Sequence, residues 1–178
     1  RGYSKHHPAL PLYTKEDAAE ALSRLKPSPF GKKIAIGKGI EAEFINAGHL
    51  LGSSYVLVTR SDRGGGRILF GGDLGRYNRP ILPDPSPAVA ADVLLVESTY
   101  GDRTHPDEDD GATLARIIND TLARRGKVII PAFAIGRVEE LLYWLFRLED
   151  SGRIERVPIY VDSPMAIKGL QYYGARTD

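Results

Sequence analysis

The sequence predicts an α/β protein, with an antiparallel or mixed sheet in its first half and a helix-covered parallel sheet in its second half. Two observations support this fold class. Four short β-type runs follow one another between residues 32 and 70, which is typical of strands joined by hairpins. After residue 92, apolar runs alternate with amphipathic helical patterns, and this order is typical of parallel strands connected by helices.

The bulk composition is that of an ordinary globular chain. Its 178 residues are enough for one sizeable domain or for parts of two. The apolar run at residues 93–96, like every other apolar run in the sequence, is far too short to cross a bilayer, so no membrane partner is expected. Cysteine is absent, which excludes disulfides and thiolate metal sites and favours a cytoplasmic protein.

The charge distribution is uneven although the formal net charge is only +1. Residues 1–39 carry eight Lys or Arg against three acidic residues, an excess of five positive charges. Such an excess is typical either of nucleic-acid contact or of a solvated surface, and both interpretations stay open.

The elements of the first half follow from capping and periodicity. Thr14 and Asp17 have the spacing of a capping box, and apolar residues at helical spacing after them predict a helix over residues 15–25. Short apolar or alternating runs predict four strands, at residues 32–36, 41–45, 54–59 and 67–70. The glycine-rich segment 61–66 is typical of a hairpin between the last two. A surface loop follows, marked by Pro80, Pro83, Pro85 and Pro87.

In the second half, three apolar runs predict strands, at residues 93–96, 127–130 and 159–161. Two amphipathic patterns predict the intervening helices, at residues 114–122 and 138–148. Within the second helix, Tyr143, Trp144 and Phe146 lie beside leucines at helical spacing. We therefore assign these aromatic side chains to the core rather than to base stacking. A solvated acidic turn near residues 105–112 predicts a domain boundary.

Two side chains lie in loops that follow strands, where functional sites are commonly built. His49 follows the second predicted strand, with Gly48 and Gly52 on either side. Asp73 follows Gly72 at the end of the fourth predicted strand. Taken singly, His49 is typical of a surface loop and Asp73 of a capped turn. Taken together at one edge of a sheet, an imidazole and a carboxylate are suitable donors to zinc.

The remaining histidines are weaker candidates. His105 follows an acidic-basic turn and is expected either in a cleft or, as a plain surface residue, in solvent. His6 and His7 are adjacent and no acidic residue follows at metal-ligand spacing, so we expect both on a surface loop.

Arg137 is a candidate phosphate ligand because it begins the predicted helix 138–148 directly after Gly136. A guanidinium beside the free amides of a helix start suits a phosphate group. An ion pair of Arg137 with Glu139 or Glu140 is an alternative interpretation, and the sequence does not decide between the two.

Five ordered motifs resemble those of the β-CASP nucleases of the metallo-β-lactamase fold. They lie at residues 48–49, 72–73, 96–103, 130–142 and 161–166. The resemblance runs from about residue 8 to the end, and this group includes the endonuclease that processes messenger RNA 3′ ends and ribonuclease J-like enzymes. It implies part of an αββα metallo-β-lactamase sandwich in residues 1–108. It also implies the start of a β-CASP α/β domain with a parallel sheet in residues 109–178.

The resemblance also implies roles for individual residues. His49 ligates one zinc ion and Asp73 bridges two. Glu97 orients a histidine further along the chain and thereby fixes its tautomer. Arg137 and Ser163 lie within the matching motifs, and we expect both to bind the substrate. Two zinc ions per active site would activate water and stabilise charge during hydrolysis of single-stranded RNA.

Two departures from the family pattern matter. The His-x-His-x-Asp-His signature, which supplies most zinc ligands in the superfamily, does not occur in this sequence, and neither do the later β-CASP histidines. We therefore expect an internal fragment of an enzyme, inactive by itself. A small-molecule hydrolase of the same fold and a β-CASP scaffold without catalytic ligands are the alternatives. The choice between RNA and DNA, the mode of cutting and the oligomeric state stay open.

Overall fold

The computed structural model describes residues 8, 10–62, 64–106 and 109–175. His6 and His7, expected on a surface loop, lie outside these residues. Within them the elements are α1 (Lys15–Ser23), β1 (Lys33–Gly37), β2 (Ile40–Asn46), β3 (Ser54–Arg60), β4 (Gly66–Phe70), β5 (Val93–Leu95), α2 (Ala112–Ala123), α3 (Arg137–Asp150) and α4 (Pro164–Gly174).

The five strands form one mixed sheet in the order β1-β2-β3-β4-β5. The first three pairings are antiparallel and the β4–β5 pairing is parallel, so the prediction for the first half is confirmed. Because β2 and β4 are both antiparallel to β3, these two strands run in the same direction, and β5 runs with them. The carboxyl ends of β2, β4 and β5 therefore meet at one edge of the sheet.

The sheet has its own core, under the loop that the four prolines predicted. Ala47, Tyr55, Leu57 and Leu69 are buried together, and Val89 from this loop packs against them. The loop is also tied to the sheet by a hydrogen bond from the Ser86 amide to the Asn46 carbonyl, 3.0 Å long. The end of β2, which precedes His49, is thus covered and fixed.

A second, separate core holds α2 and α3 together. Ala115 and Ile118 of α2 are buried against Leu145 and Leu148 of α3, and Ile154 closes the cluster. Leu148 is only 1% exposed. Both helices were predicted from their apolar periodicity, and the structure confirms them with slightly longer bounds.

The assignment of three aromatic residues of α3 to the core needs correction. Phe146 is 65% exposed, whereas Tyr143 and Trp144 are half-buried, with ring centroids 5.5 Å apart. Leu145 and Leu148 set the buried face of the helix. Phe146 follows Leu145 by one position, about 100° further round, and this turns it towards solvent.

Two predicted strands are not strands in the structure. Residues 127–130 and 159–161 have no ladder partner among the described residues, and Ile129 and Tyr160 are exposed. A strand exists through hydrogen bonds to a neighbouring strand, which an apolar run alone does not supply. The only parallel pairing in the described ranges is β4–β5. The parallel sheet expected for the second half is therefore not formed there.

Both ends of the described chain carry helices that bury little. The Thr14–Asp17 capping box of α1 is confirmed, but the helix ends at Ser23, two residues before the predicted end, and none of its residues is buried. Helix α4 was not predicted, although Ser163 caps it and Pro164 occupies its first turn, a typical helix-start pair. None of the helices in the described ranges has the length and apolarity that crossing a membrane requires. The αββα sandwich stays a prediction, as does the domain boundary.

Candidate metal centre

Three candidate side chains follow the three strand ends that share one edge of the sheet. His49 follows β2, Asp73 follows β4 and Glu97 follows β5. The Nε2 atom of His49 lies 3.9 Å from Oδ2 of Asp73, and both side chains are exposed. The expected convergence of an imidazole and a carboxylate is thus confirmed. Their role as zinc ligands stays a prediction.

A serine hydroxyl organises the loop that carries His49. The Oγ atom of Ser53 accepts hydrogen bonds from the amides of His49 (2.9 Å) and Leu50 (3.0 Å). The amide of Ala47 donates to the Ser53 carbonyl at 3.0 Å and closes the loop. The sequence did not predict this role of Ser53. A serine at the last position before a strand is too common to indicate that it organises a loop.

The loops carrying His49 and Asp73 touch through their backbones. The amide of Gly75 donates to the carbonyl of Ala47 at 2.8 Å. A Cβ atom on Gly75 would lie 2.1 Å from the carbonyl oxygen of Gly48, far inside contact distance. Gly48 has φ +64°, and a Cβ there would lie 2.7 Å from the nitrogen of Pro85. Glycine is therefore required at both positions, and the two loops are held at a fixed separation.

Glu97 holds the segment next to Asp73. Its Oε1 accepts a hydrogen bond from the Leu74 amide at 3.0 Å, and its Oε2 accepts one from the Thr99 amide at 3.2 Å. Hydrogen bonding by the Thr99 side chain, then by these two amides, lowers the pKa of Glu97. The carboxylate is thus kept ionised and fixes the backbone beside Asp73. Orientation of a later histidine by Glu97 is not tested by these contacts.

The donor types fit zinc, but the described residues supply only part of a donor set. Two tetrahedral ligands of one zinc ion lie about 3.3 Å apart. The 3.9 Å between His49 and Asp73 is close to this value, and both side chains have room to adjust. Among the described residues, no group of three His, Asp or Glu side chains is placed to hold a metal ion. Catalytic zinc usually has three protein ligands.

The other candidates form hydrogen bonds or ring contacts of their own rather than joining this pair. No hydrogen bond or ion pair among the described residues joins Arg137 or Ser163 to His49 or Asp73. The Ser163 hydroxyl oxygen accepts from the Ala166 amide at 3.2 Å and caps α4. His105 is exposed, with its ring edge-to-face against Tyr100 at 5.3 Å, as the surface interpretation predicted.

Arg137 is exposed at the start of α3. Of the two ion pairs that the sequence allowed, Arg137 forms the one with Glu140 and not the one with Glu139. Its Nη1 atom lies 3.5 Å from Oε2 of Glu140. Glu139 is instead 5% exposed and lies under α4, with Oε1 3.1 Å from the position that a Cβ on Gly169 would take. Neither carboxylate oxygen of Glu139 has a hydrogen-bond partner among the described residues.

Comparison with known proteins shows several relatives, although no family model matches the chain. Over 165 residues it is 42% identical to ribonuclease TTHA0252 of Thermus thermophilus, a match that covers 92% of this chain and 37% of that protein. It is 34% identical over 169 residues to endoribonuclease YSH1 of Eremothecium gossypii, covering 91% and 21% respectively. It is also 34% identical over 157 residues to the RNase J-like protein of Methanocaldococcus jannaschii, covering 86% and 37%.

These matches cover 86% to 92% of this chain, but the chain spans only 21% to 37% of the length of these three relatives. The predicted resemblance is confirmed: this chain is related, over most of its length, to the β-CASP ribonucleases of the metallo-β-lactamase fold.

Proposed function

We propose that the intact protein carrying this chain is a zinc-dependent ribonuclease that hydrolyses phosphodiester bonds in single-stranded RNA. One observation carries the proposal: the His49 imidazole and the Asp73 carboxylate lie 3.9 Å apart where three strands of common direction end. The names of the relatives support RNA as the substrate, and endoribonuclease YSH1 supports internal cutting.

In this proposal His49 ligates one zinc ion and Asp73 bridges two, while the remaining donors come from parts of the intact protein beyond this chain. Bound zinc supplies Lewis-acid stabilisation of the phosphoryl oxygens and a nucleophile at neutral pH. Glu97 acts on the chain itself, since its hydrogen bond with the Leu74 amide keeps the Asp73 loop in place.

Two further side chains serve the substrate in the proposal. Arg137 binds a phosphate of the RNA backbone, because its guanidinium is exposed at a helix start. The Ser163 hydroxyl accepts from the Ala166 amide and keeps its own hydrogen for donation to the substrate. We also propose that the protein is cytoplasmic, because this chain contains no cysteine.

The test uses the intact protein. Zinc is quantified by mass spectrometry, and cleavage of end-labelled single-stranded RNA is followed with and without a chelator. Matched single-stranded DNA and a chromogenic β-lactam serve as competing substrates. We expect cleavage of RNA that is lost on chelation and restored by zinc. His105→Ala is the matched control, because this exposed histidine lies outside the candidate centre and should leave both zinc content and cleavage unchanged.

Other outcomes separate the alternatives. Hydrolysis of the β-lactam without RNA cleavage would identify a small-molecule hydrolase. An intact protein without bound zinc and without hydrolysis of any substrate would identify a scaffold. Cleavage of RNA that persists in the protein stripped of metal would contradict the proposal itself.

A further inference from the structure

Arg137 does not stand alone at the start of α3. Its neighbour Glu140 lies one turn further along the helix, with Oε2 3.5 Å from Nη1 of Arg137. The other oxygen of Glu140, Oε1, forms an ion pair with Nη2 of Arg79. One carboxylate therefore joins two guanidinium groups that are 58 residues apart in the chain.

These three side chains differ in exposure. Those of Arg79 and Glu140 are 13% and 15% exposed, whereas that of Arg137 is 59% exposed. The inner pair is therefore largely removed from solvent, where an ion pair is screened little and has a defined geometry. We call Arg79, Glu140 and Arg137 the triad. Arg137 is its exposed member, which a ligand from solution can reach.

The triad is linked to the candidate metal centre through two contacts. Gly136, directly before Arg137, lies against the His49 loop: a Cβ on Gly136 would be 2.5 Å from Cδ2 of Leu50. Arg79 belongs to the segment that continues to Pro85, whose backbone packs on Gly48. The start of α3 and the His49 loop are thus in contact, and Arg79 comes from the segment that covers the same loop.

The carboxylate of Glu140 is shared by two guanidinium groups, and this matters for an anionic substrate. A carboxylate that belonged to Arg137 alone would neutralise it and weaken its attraction for phosphate. Because Glu140 also pairs with Arg79, it holds Arg137 while being shared with a second guanidinium. Of the five N–H donors of the Arg137 guanidinium, one donates to Glu140, and within the described residues the others have no hydrogen-bond partner and can bind a phosphate oxygen pair.

We infer that Glu140 is a positioning residue that, backed by Arg79, holds the Arg137 guanidinium ready for a phosphate of the RNA backbone. This inference rests on the proposed ribonuclease function. The inference includes that this phosphate is a different one from the phosphate that is hydrolysed, since Arg137 pairs with Glu140 and no hydrogen bond or ion pair among the described residues joins it to His49 or Asp73. The triad should therefore affect long RNA substrates and not a substrate with a single phosphodiester.

The experiment measures KM and kcat of the intact protein on single-stranded RNA and on bis(p-nitrophenyl) phosphate, which has one phosphodiester. Arg137→Ala is expected to raise KM for RNA about 10-fold or more, the usual loss for a charged hydrogen bond. It should also reduce the dependence of log KM on log salt by about 0.7, the contribution of one phosphate contact in a single strand. Glu140→Gln should raise KM for RNA severalfold, with kcat and hydrolysis of the small diester unchanged.

A double-mutant cycle shows whether Glu140 acts through Arg137. In the Arg137→Ala background, Glu140→Gln should raise KM no further. Since Glu140→Gln removes a negative charge beside the largely buried Arg79, that variant is at risk of misfolding. The joint change Arg79→Met with Glu140→Met removes both charges while keeping apolar volume, and should show the same rise in KM. Asp120→Asn, which breaks the exposed Arg116–Asp120 pair on α2, is the matched control and should change nothing.

Two results would overturn the inference. One is an effect of Glu140→Gln on KM that is equally large with and without Arg137. The other is a parallel loss of zinc and of small-diester hydrolysis in the Glu140 variants, which would show that the pair only supports the fold. A wild-type protein without RNA cleavage would instead refute the proposed function, so the two failures are distinguishable.

Discussion

The sheet region, residues 10–106, and the helical region, residues 109–175, differ in how their apolar runs are used. In the sheet region each predicted strand finds a partner, and three strand ends bring His49, Asp73 and Glu97 to one edge. In the helical region the helices form and pack, but the apolar runs at residues 127–130 and 159–161 find no partner among the described residues. Helices satisfy their own backbone groups, whereas strands depend on neighbours. The candidate centre is therefore built by strand pairing, while the helical region adds Arg137 from a helix start.

The largest expected effect is at the sheet edge. Asp73→Ala in the intact protein should lower RNA cleavage on the order of 10³-fold or more and reduce zinc content, because removal of a bridging ligand leaves the ions unsupported. His49→Ala should act similarly, with a smaller loss of zinc. Zinc analysis and a cleavage assay measure both effects. Asp62→Ala, a hairpin carboxylate at the opposite end of β3, is the control. Wild-type zinc and activity in Asp73→Ala would refute the metal assignment.

The helical region should lose stability rather than zinc. Leu148→Ala, at the centre of the α2–α3 core, is expected to cost about 2–5 kcal/mol of unfolding free energy. Phe146→Ala, on the exposed side of the same helix, should stay within about 0.5 kcal/mol. Urea denaturation of the intact protein, followed by the fluorescence of Trp144, compares the two. Equal costs would mean that Phe146 is covered in the intact protein.

Glu97→Gln should keep zinc bound but slow turnover roughly 10- to 100-fold, the usual effect of a group that supports a metal ligand. The amide oxygen of glutamine still accepts a hydrogen bond from Leu74, but the charge is lost. Complete loss of zinc would show instead that Glu97 is a direct ligand.

The same variant tests the acid sensitivity of the sheet edge. Because hydrogen bonds lower the pKa of Glu97 below its ordinary 4.5, its contribution to stability is fully present above about pH 4.5. This contribution is lost as the pH falls through the lowered value. Thermal melts of wild type and Glu97→Gln should therefore converge in that acidic window and separate above it. A constant difference across the window would contradict the charged role.

The smallest effect concerns the contact between the two loops. Gly75→Ala forces a Cβ against the Gly48 carbonyl and should cost about 1–3 kcal/mol, with weaker zinc binding as the loops separate. Gly174→Ala, at the end of α4 with open space around it, is the matched control. Calorimetry and zinc titration measure both. If Gly75→Ala has the same stability and zinc affinity as the control, the contact between the two loops is not required for zinc binding.

Much of the sheet region follows from local sequence signals. Alternation and the glycine-rich hairpin predicted β1 to β4, and the strand-end positions of His49 and Asp73 predicted their convergence, which the structure confirms. The contacts that hold these loops were not predictable. The Ser53 hydroxyl and the Gly75 amide act on backbone groups several to many residues away, and no local pattern records such contacts.

In the helical region, periodicity predicted α2 and α3 but not which aromatic residues they bury. Phe146 and Trp144 are both large aromatic residues, and the packing of distant segments decides which of them is covered: Trp144 lies against Gly111, whereas Phe146 is exposed. The Arg79–Glu140 ion pair could not be predicted from the sequence either, because the two residues come from distant segments and no local motif marks them.

The most direct test of the account is anomalous diffraction at the zinc absorption edge from crystals of the intact protein. We predict zinc peaks about 2.0–2.2 Å from Nε2 of His49 and from the carboxylate of Asp73. Glu97 should lie outside bonding distance of the metal, with its oxygens on the Leu74 and Thr99 amides. An intact protein that binds zinc elsewhere, or through Glu97 in place of Asp73, would contradict it.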